Sequence, residues 1–279
     1  MAATRVIARP AAPPKPFFTV NRVRVVTVLV AWVLWEALAN SGLFYRDVIP
    51  SSLEVVPAIF SELTNPGFYY DLYITFAEMI VGFVWGALVG IVFGIVLGAN
   101  PYLRRALEPY LNAIGSTPKI IFLPIIFLMF GVGIESKMAK GALSAFFPVI
   151  FATMLGMITM SPVFAKVGRS FNLGRWQMVR KVYLPAMVSP VIIGLRLGMG
   201  VCVIGILVAE IKFAASGLGF RLMGYYDQFK IAPMYAILII IFGLAAFANW
   251  SMSRLQVRYD WATYGMKQRR PTATRVSTH

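Results

Sequence analysis

The stretch YITFAEMIVGFVWGALVGIVFGIVLGA, residues 73–99, carries a single charged side chain, Glu78. At about 1.5 Å of rise per residue it is more than long enough to cross a hydrocarbon core about 30 Å thick. An apolar run of this length satisfies its backbone hydrogen bonds in lipid only as a helix, because barrel strands are about ten residues long and alternate in polarity. Gly82, Gly86, Gly90, Gly94 and Gly98 recur in it at every fourth position, which strips one helical face of side chains. Small residues at that spacing let a second helix approach closely. The same groove could instead line a solute path, and spacing does not separate the two.

Working outward, five more apolar stretches fall near residues 24–43, 111–133, 139–160, 187–211 and 231–253. Pro118, Lys119 and Pro124 interrupt the third of the six spans. Overall 59% of the chain is hydrophobic and 13% charged, with mean hydropathy +0.74, against about a quarter charged in a soluble domain. The fold class expected is all-α: a polytopic membrane helical bundle of about six transmembrane helices. Its transmembrane domain occupies residues 23–255, between cytoplasmic tails at 1–22 and 256–279. Ala37-Leu38-Ala39 resembles a signal-peptidase site. The long tail before it, with Pro10, Pro13, Pro14 and Pro16, and the adjacent Glu36 favour a retained first span.

A net charge of +15 would suit nucleic acid, but the bases are not spread over a soluble face. Eighteen of the 26 lie on one side, in the N-terminal tail, the second connector (Arg104, Arg105), the fourth connector and the C-terminal tail. By the positive-inside rule both termini and the fourth connector are cytoplasmic. Lys137 and Lys140 are counted among the outer-loop bases, and Asp47, Glu54, Glu62 and Asp71 enrich the first outer loop in acid.

The reactive inventory is short. Cys202 is the only cysteine and His279 the only histidine, which excludes an internal disulfide, a histidine-based metal site and a Ser-His-Asp triad. No G-x-x-x-x-G-K-[ST] occurs, nor any Gly-Lys pair, so the chain has no Walker-type ATP site and no catalytic residue is assigned. Charges within spans are functional candidates by default. Arg196 and Glu78 are the candidates for a translocation path, Arg196 either meeting an anion or snorkelling toward the cytoplasm. Glu36 and Glu210 are expected at the outer interface.

The fourth connector, residues 161–185, reads as helix, glycine turn at Gly174, helix and a stop at Leu184-Pro185. Lys166, Arg169, Arg175, Arg180 and Lys181 surround it. Trp176, Val179, Val182 and Tyr183 share one face of the second helix, a pattern that fits either a partner's groove or the lipid headgroups.

Gly174 followed by Val182-Tyr183-Leu184-Pro185 resembles the second half of the EAA motif of binding-protein-dependent ABC importer permeases. Several other pieces, in order, resemble the nitrate/sulfonate/taurine branch of that family: Thr117-Pro118-Lys119, Phe122-Leu123-Pro124, Phe130-Gly131-Val132-Gly133, Ser136-Lys137, Gly194-Leu195-Arg196-Leu197, Ala209-Glu210 and Gly217-Leu218-Gly219. The likeness covers about residues 70–255. One departure stands out: Gly168-Arg169-Ser170 occupies the place of Glu-Ala-Ala.

The resemblance implies the ABC importer permease fold, with a cytoplasmic coupling helix docked on a separate ATPase through Ser170, Phe171, Gly174, Arg175 and Trp176, and with Leu184-Pro185 ending the motif. It implies a second permease copy, an extracytoplasmic solute-binding protein and a bacterial inner-membrane location. ATP and Mg would be held by the ATPase, with no cofactor on this chain. Substrates of the branch are small solutes: oxyanions such as nitrate, bicarbonate and organosulfonates, aromatic carboxylates, and some neutral pyrimidine-type compounds. The alternative from another class is an ion-coupled secondary transporter or channel, which needs coupling-ion ligands near the midplane.

Overall fold

The structure, a computed structural model, describes residues 20–43 and 48–264. The expected tails therefore lie largely outside it, as do Arg46 and Asp47. Helices run in the order α1 (Val20–Asn40), α2 (Ser52–Leu63), α3 (Pro66–Ala99), α4 (Pro101–Ser116), α5 (Leu123–Phe130) and α6 (Ile134–Thr159). The connector holds α7 (Pro162–Ser170), α8 (Arg175–Met178) and α9 (Leu184–Ala186), followed by α10 (Val188–Phe213), α11 (Leu218–Asp227) and α12 (Ile231–Tyr264). No strand occurs among the described residues.

Five of these helices are long and apolar enough to cross a membrane: α1, α3, α6, α10 and α12. The third expected span, near residues 111–133, is not one helix. Pro101–Ser116 and Lys119–Phe130 meet at 93°, joined through Thr117-Pro118 and a 3-10 turn at Lys119–Phe122. The prolines responsible were visible in the sequence; the size of the bend was not. Pro118 removes a backbone donor and disfavours helical geometry at Thr117, which is extended with ψ 138°. The last helix continues to Tyr264, past residue 256 where a tail was expected.

α6 is the centre of the bundle, flanked by α3 and α10. The glycine stripe of α3 faces it directly. A Cβ at Gly82 would stand 2.8 Å from the Met138 carbonyl oxygen, and one at Gly94 would stand 2.6 Å from Thr153 Cβ. One at Gly90 would meet Phe146 O and Val149 at 3.0 Å, while Gly86 abuts Ala142 and Gly98 abuts Met157 still more closely. Backbones can approach this way only without side chains, and in lipid such contact substitutes for the missing hydrophobic drive. Met79, Phe83, Ala145, Val149, Met199 and Ile206 complete the core between the three helices.

α1 is the exception, with none of its apolar span buried within the chain. It is tied at its C-terminal end, where Trp35 Nε1 donates to Pro50 O at 3.0 Å and packs edge-on against Tyr235. Glu36 there accepts from the Ser52 amide and hydroxyl at 3.1 and 2.9 Å, an acid at the start of α2.

Candidate coupling site and buried polar seam

The connector folds as a helical hairpin. Pro162 sits in the first turn of α7, where its missing N–H is not needed. The turn after α7 is made by Asn172, at φ +50°, with Asn172 N donating to Arg169 O and Leu173 N to Gly168 O. Gly174 is thus not the left-handed residue that a glycine turn would require. It opens α8, its carbonyl accepting from Met178 N at 2.8 Å and its amide donating to Gln177 Oε1 at 3.3 Å. A Cβ at Gly174 would meet nothing within 4 Å. Any demand for glycine there comes from outside the chain.

Gly168 is different. A Cβ on it would strike the Met178 thioether, and Met178 is the buried residue of the second arm. The departure from Glu-Ala-Ala therefore has a local role, because glycine at 168 lets Met178 close the hairpin. Neither the turn at Asn172 nor the Gly168–Met178 joint was legible from periodicity. Phe171 and Trp176, 74% and 72% exposed, project from the hairpin, as do Val163 and Phe164. Ser170 bonds back to Lys166 O at 3.1 Å, and Arg175 begins α8, its side chain outside the described set.

Leu184-Pro185 does not stop the helix. Residues Val179–Tyr183 form a π-helical segment, and Leu184 N reaches back to Val179 O. This wider turn takes up the hydrogen bond and the space that Pro185 would deny an α-helix. Met187 N then donates to Tyr183 O and Val191 N to Met187 O, both at 3.0 Å. The hairpin is therefore joined to α10 by nearly continuous helix, a stiff link between the exposed Trp176 and the bundle.

At the far end of α10, ionisable groups that the sequence had scattered come together. Glu210, expected at an interface, is fully buried, as is Glu78. Lys137 and Lys140, counted with the outer loop, lie on α6 and are 2% exposed. Glu210 accepts from Thr75 Oγ1 at 2.6 Å and from Gly219 N at 2.7 Å, and Thr75 Oγ1 accepts in turn from Leu218 N at 2.8 Å. Lys137 Nζ stands 3.9 Å from Glu78 and donates to Val132 O and Gly133 O at 3.2 Å. Lys140 Nζ donates to Ser144 Oγ at 3.1 Å. Among the described residues, Lys137 is the ion-pair partner of Glu78, whose two carboxylate oxygens accept no hydrogen bond, while Lys140 is held by Ser144 alone.

The seam also secures α11. Successive amides of its first turn are taken by Asp71, Thr75 and Glu210, with Gly217 N at 2.9 Å from Asp71 Oδ1. Arg221 bridges Asp71 Oδ2 at 2.9 Å and Glu62 Oε2 at 3.1 Å, and the Tyr225 hydroxyl donates to Glu62. Burial and that bond to Glu62 push the Tyr225 phenol above its ordinary range. No group of three metal-ligating side chains occurs among the described residues.

Residues 86–260 match the family described as the binding-protein-dependent transport system inner membrane component. The chain belongs to this family. The permease is 30% identical over 226 residues to the aliphatic sulfonates transport permease protein SsuC of Bacillus subtilis, covering 81% of each chain. It is 25% identical to the taurine transport system permease protein TauC of Escherichia coli, over 83% of this chain and 86% of that one. It is 24% identical to the nitrate import permease protein NrtB of a Synechocystis strain, over 77% and 81% of the two chains. Among solved structures, an inward-facing form of the MetNI methionine ABC transporter matches with TM-score 0.62 at 19% identity. That match covers 68% of this chain and 95% of that one and shows the shared fold. The expected branch is thus the one to which these relatives belong.

Within the permease, the two path candidates do not meet. Glu78 lies with Glu210 near one end of α10. Arg196 is fourteen residues away along the helix, roughly 21 Å. Its Nε donates to Asn249 Oδ1 at 3.1 Å and its Nη1 to Gln256 Oε1 at 3.3 Å.

Proposed function

We propose that this permease is the membrane subunit of an ATP-driven importer. Two copies enclose a path, a separate ATPase grips residues 161–185 from the cytoplasm, and an extracytoplasmic binding protein delivers a small anion such as a sulfonate, nitrate or carboxylate. The bound anion moves inward across the bacterial cytoplasmic membrane. The observation that carries the reading is the connector. It is a hairpin with exposed Phe171 and Trp176, an unobstructed Gly174 and an almost unbroken helical link to α10. A cleft closing on Trp176 would move α10, and α6 through the other arm, as a unit. The chain has no phosphate cradle of its own, so ATP and Mg reside on the ATPase and this subunit carries out no reaction. The relatives named for aliphatic sulfonates and nitrate support an anionic solute, and the one named for taurine a sulfonate group.

The decisive experiment reconstitutes the permease in liposomes with its ATPase and binding protein and measures uptake of ethanesulfonate, taurine and nitrate. Uptake should require ATP on the connector side. Uptake that ran on an ion gradient without ATP would favour the secondary-transporter reading, to which the buried Glu78, Glu210 and Lys137 lend the only structural support.

A further inference from the structure

Between α10 and α12 runs a groove of about 540 Å³. Its wall on α10 is Ile193, Leu197, Gly200, Val201 and Ile204, with Leu197 and Ile204 more than half exposed. Its polar lining is Arg196, Asn249 and Gln256. We propose that this groove holds an anionic phospholipid, its phosphate on Arg196 and one acyl chain along α10.

Three observations support that occupant. First, Arg196 uses two of its nitrogens on neutral amides, and among the described residues no carboxylate lies within ion-pair distance. An arginine near a membrane surface with no carboxylate beside it attracts an anionic headgroup. Second, the polar end of the groove lies beside the point where the apolar stretch of α12 ends. Asn249 and Gln256 flank Arg254, where the apolar stretch of α12 ends, and Arg254 stacks on Trp250 at 4.8 Å in the manner of an interfacial anchor. Third, the wall from Arg196 to Ile204 is apolar for eight residues, roughly 12 Å of hydrocarbon contact. A soluble anion would have no use for that wall; an acyl chain would. Placing the lipid in the cytoplasmic leaflet rests on the orientation proposed above, whereas binding itself does not.

The test uses the whole permease with its copurifying subunits in mild detergent. It is mixed with equal amounts of dioleoyl phosphatidylglycerol and dioleoyl phosphatidylcholine, and retained lipid is read by native mass spectrometry. The wild type should retain the glycerol lipid about fivefold over the choline lipid, the factor expected for one arginine at a charged headgroup. Arg196→Gln should remove the preference, and Arg196→Lys should keep most of it. Arg254→Gln, outside the groove, should leave it unchanged. Gly200→Leu should expel both lipids without disturbing the fold, because a Cβ there meets nothing within 4 Å. Thermal melting of each variant separates lost binding from lost folding.

Equal retention of the two lipids by the wild type would overturn the proposal, as would an unchanged preference in Arg196→Gln. Displacement of the lipid by millimolar ethanesulfonate would make the groove a solute site, and disulfide-linked permease pairs in Gly200→Cys would make it a contact between copies. Neither lipid readout involves transport, so failed ATP-dependent uptake with intact lipid preference would count against the proposed function alone.

Discussion

The connector hairpin and the polar seam stand at opposite ends of α10 and differ in what they lack. In the seam most polar groups are answered within the chain: Glu210 has Thr75 and Gly219, Lys137 has Glu78 and two carbonyls, and Arg221 has two acids, while the Glu78 carboxylate has its ion pair but accepts no hydrogen bond from the described residues. The hairpin leaves Phe171 and Trp176 in the open and keeps empty space around Gly174. A self-satisfied region should report mutation as lost stability. An unfinished one should report it as lost partnership, with the chain itself intact.

That contrast can be broken at several points. Lys137→Met strands Glu78 in the interior and should destabilise by about 3–5 kcal/mol in thermal or denaturant unfolding, with Glu78→Leu in the same chain restoring most of the loss. Failure of the second change to rescue would mean that Lys137 acts elsewhere. Gly86→Leu drives a side chain into the backbone of Ala142. It should cost about 3 kcal/mol or more, seen as little protein recovered from the membrane. Normal yield would show that α3 and α6 do not pack as closely as described.

Gly174→Asp is the corresponding test of the hairpin. Yield and melting should match the wild type, while ATP-dependent uptake should fall roughly thirtyfold, the effect of losing about 2 kcal/mol at a docking hot spot. A melting temperature that dropped instead would place Gly174 with the self-satisfied residues. The smallest effect is expected for Tyr225→Phe, about 1 kcal/mol for a half-buried hydroxyl that donates to Glu62 and accepts from Arg221. Because the folded state raises this phenol, its contribution is complete below pH about 10 and is lost as pH rises through the raised value. The phenylalanine variant should lack that alkaline loss of stability.

Much of this architecture was legible in the residues themselves. Residues 73–99 had to be a membrane helix, because an apolar run of that length has no other way to satisfy its backbone in lipid. The spacing of Gly82 through Gly98 marked a close-approach face, though which helix it met, α6, was not written there. The connector's amphipathic pattern and its bases located the hairpin. Its turn was assigned to Gly174, whereas Asn172 makes it, since asparagine tolerates the left-handed region and the adjacent glycine hid that choice. Pro185 read as a stop because a proline breaks an ideal α-helix. The π-helical turn at Val179–Tyr183 evades the rule, and nothing local announces it.

By itself the sequence determined the class of molecule: apolar length, glycine spacing and the absence of a phosphate loop act through neighbouring residues and survive without knowledge of the fold. The environment of its charges was decided by tertiary structure alone. Glu210 and Thr75 are 135 positions apart, and Arg221 and Glu62 are 159 apart. A carboxylate at a helix end and one sealed between three helices look alike in sequence, because desolvation and pairing depend on what packs against them. The same holds for Arg196, whose groove exists only once α12 has come to lie beside α10.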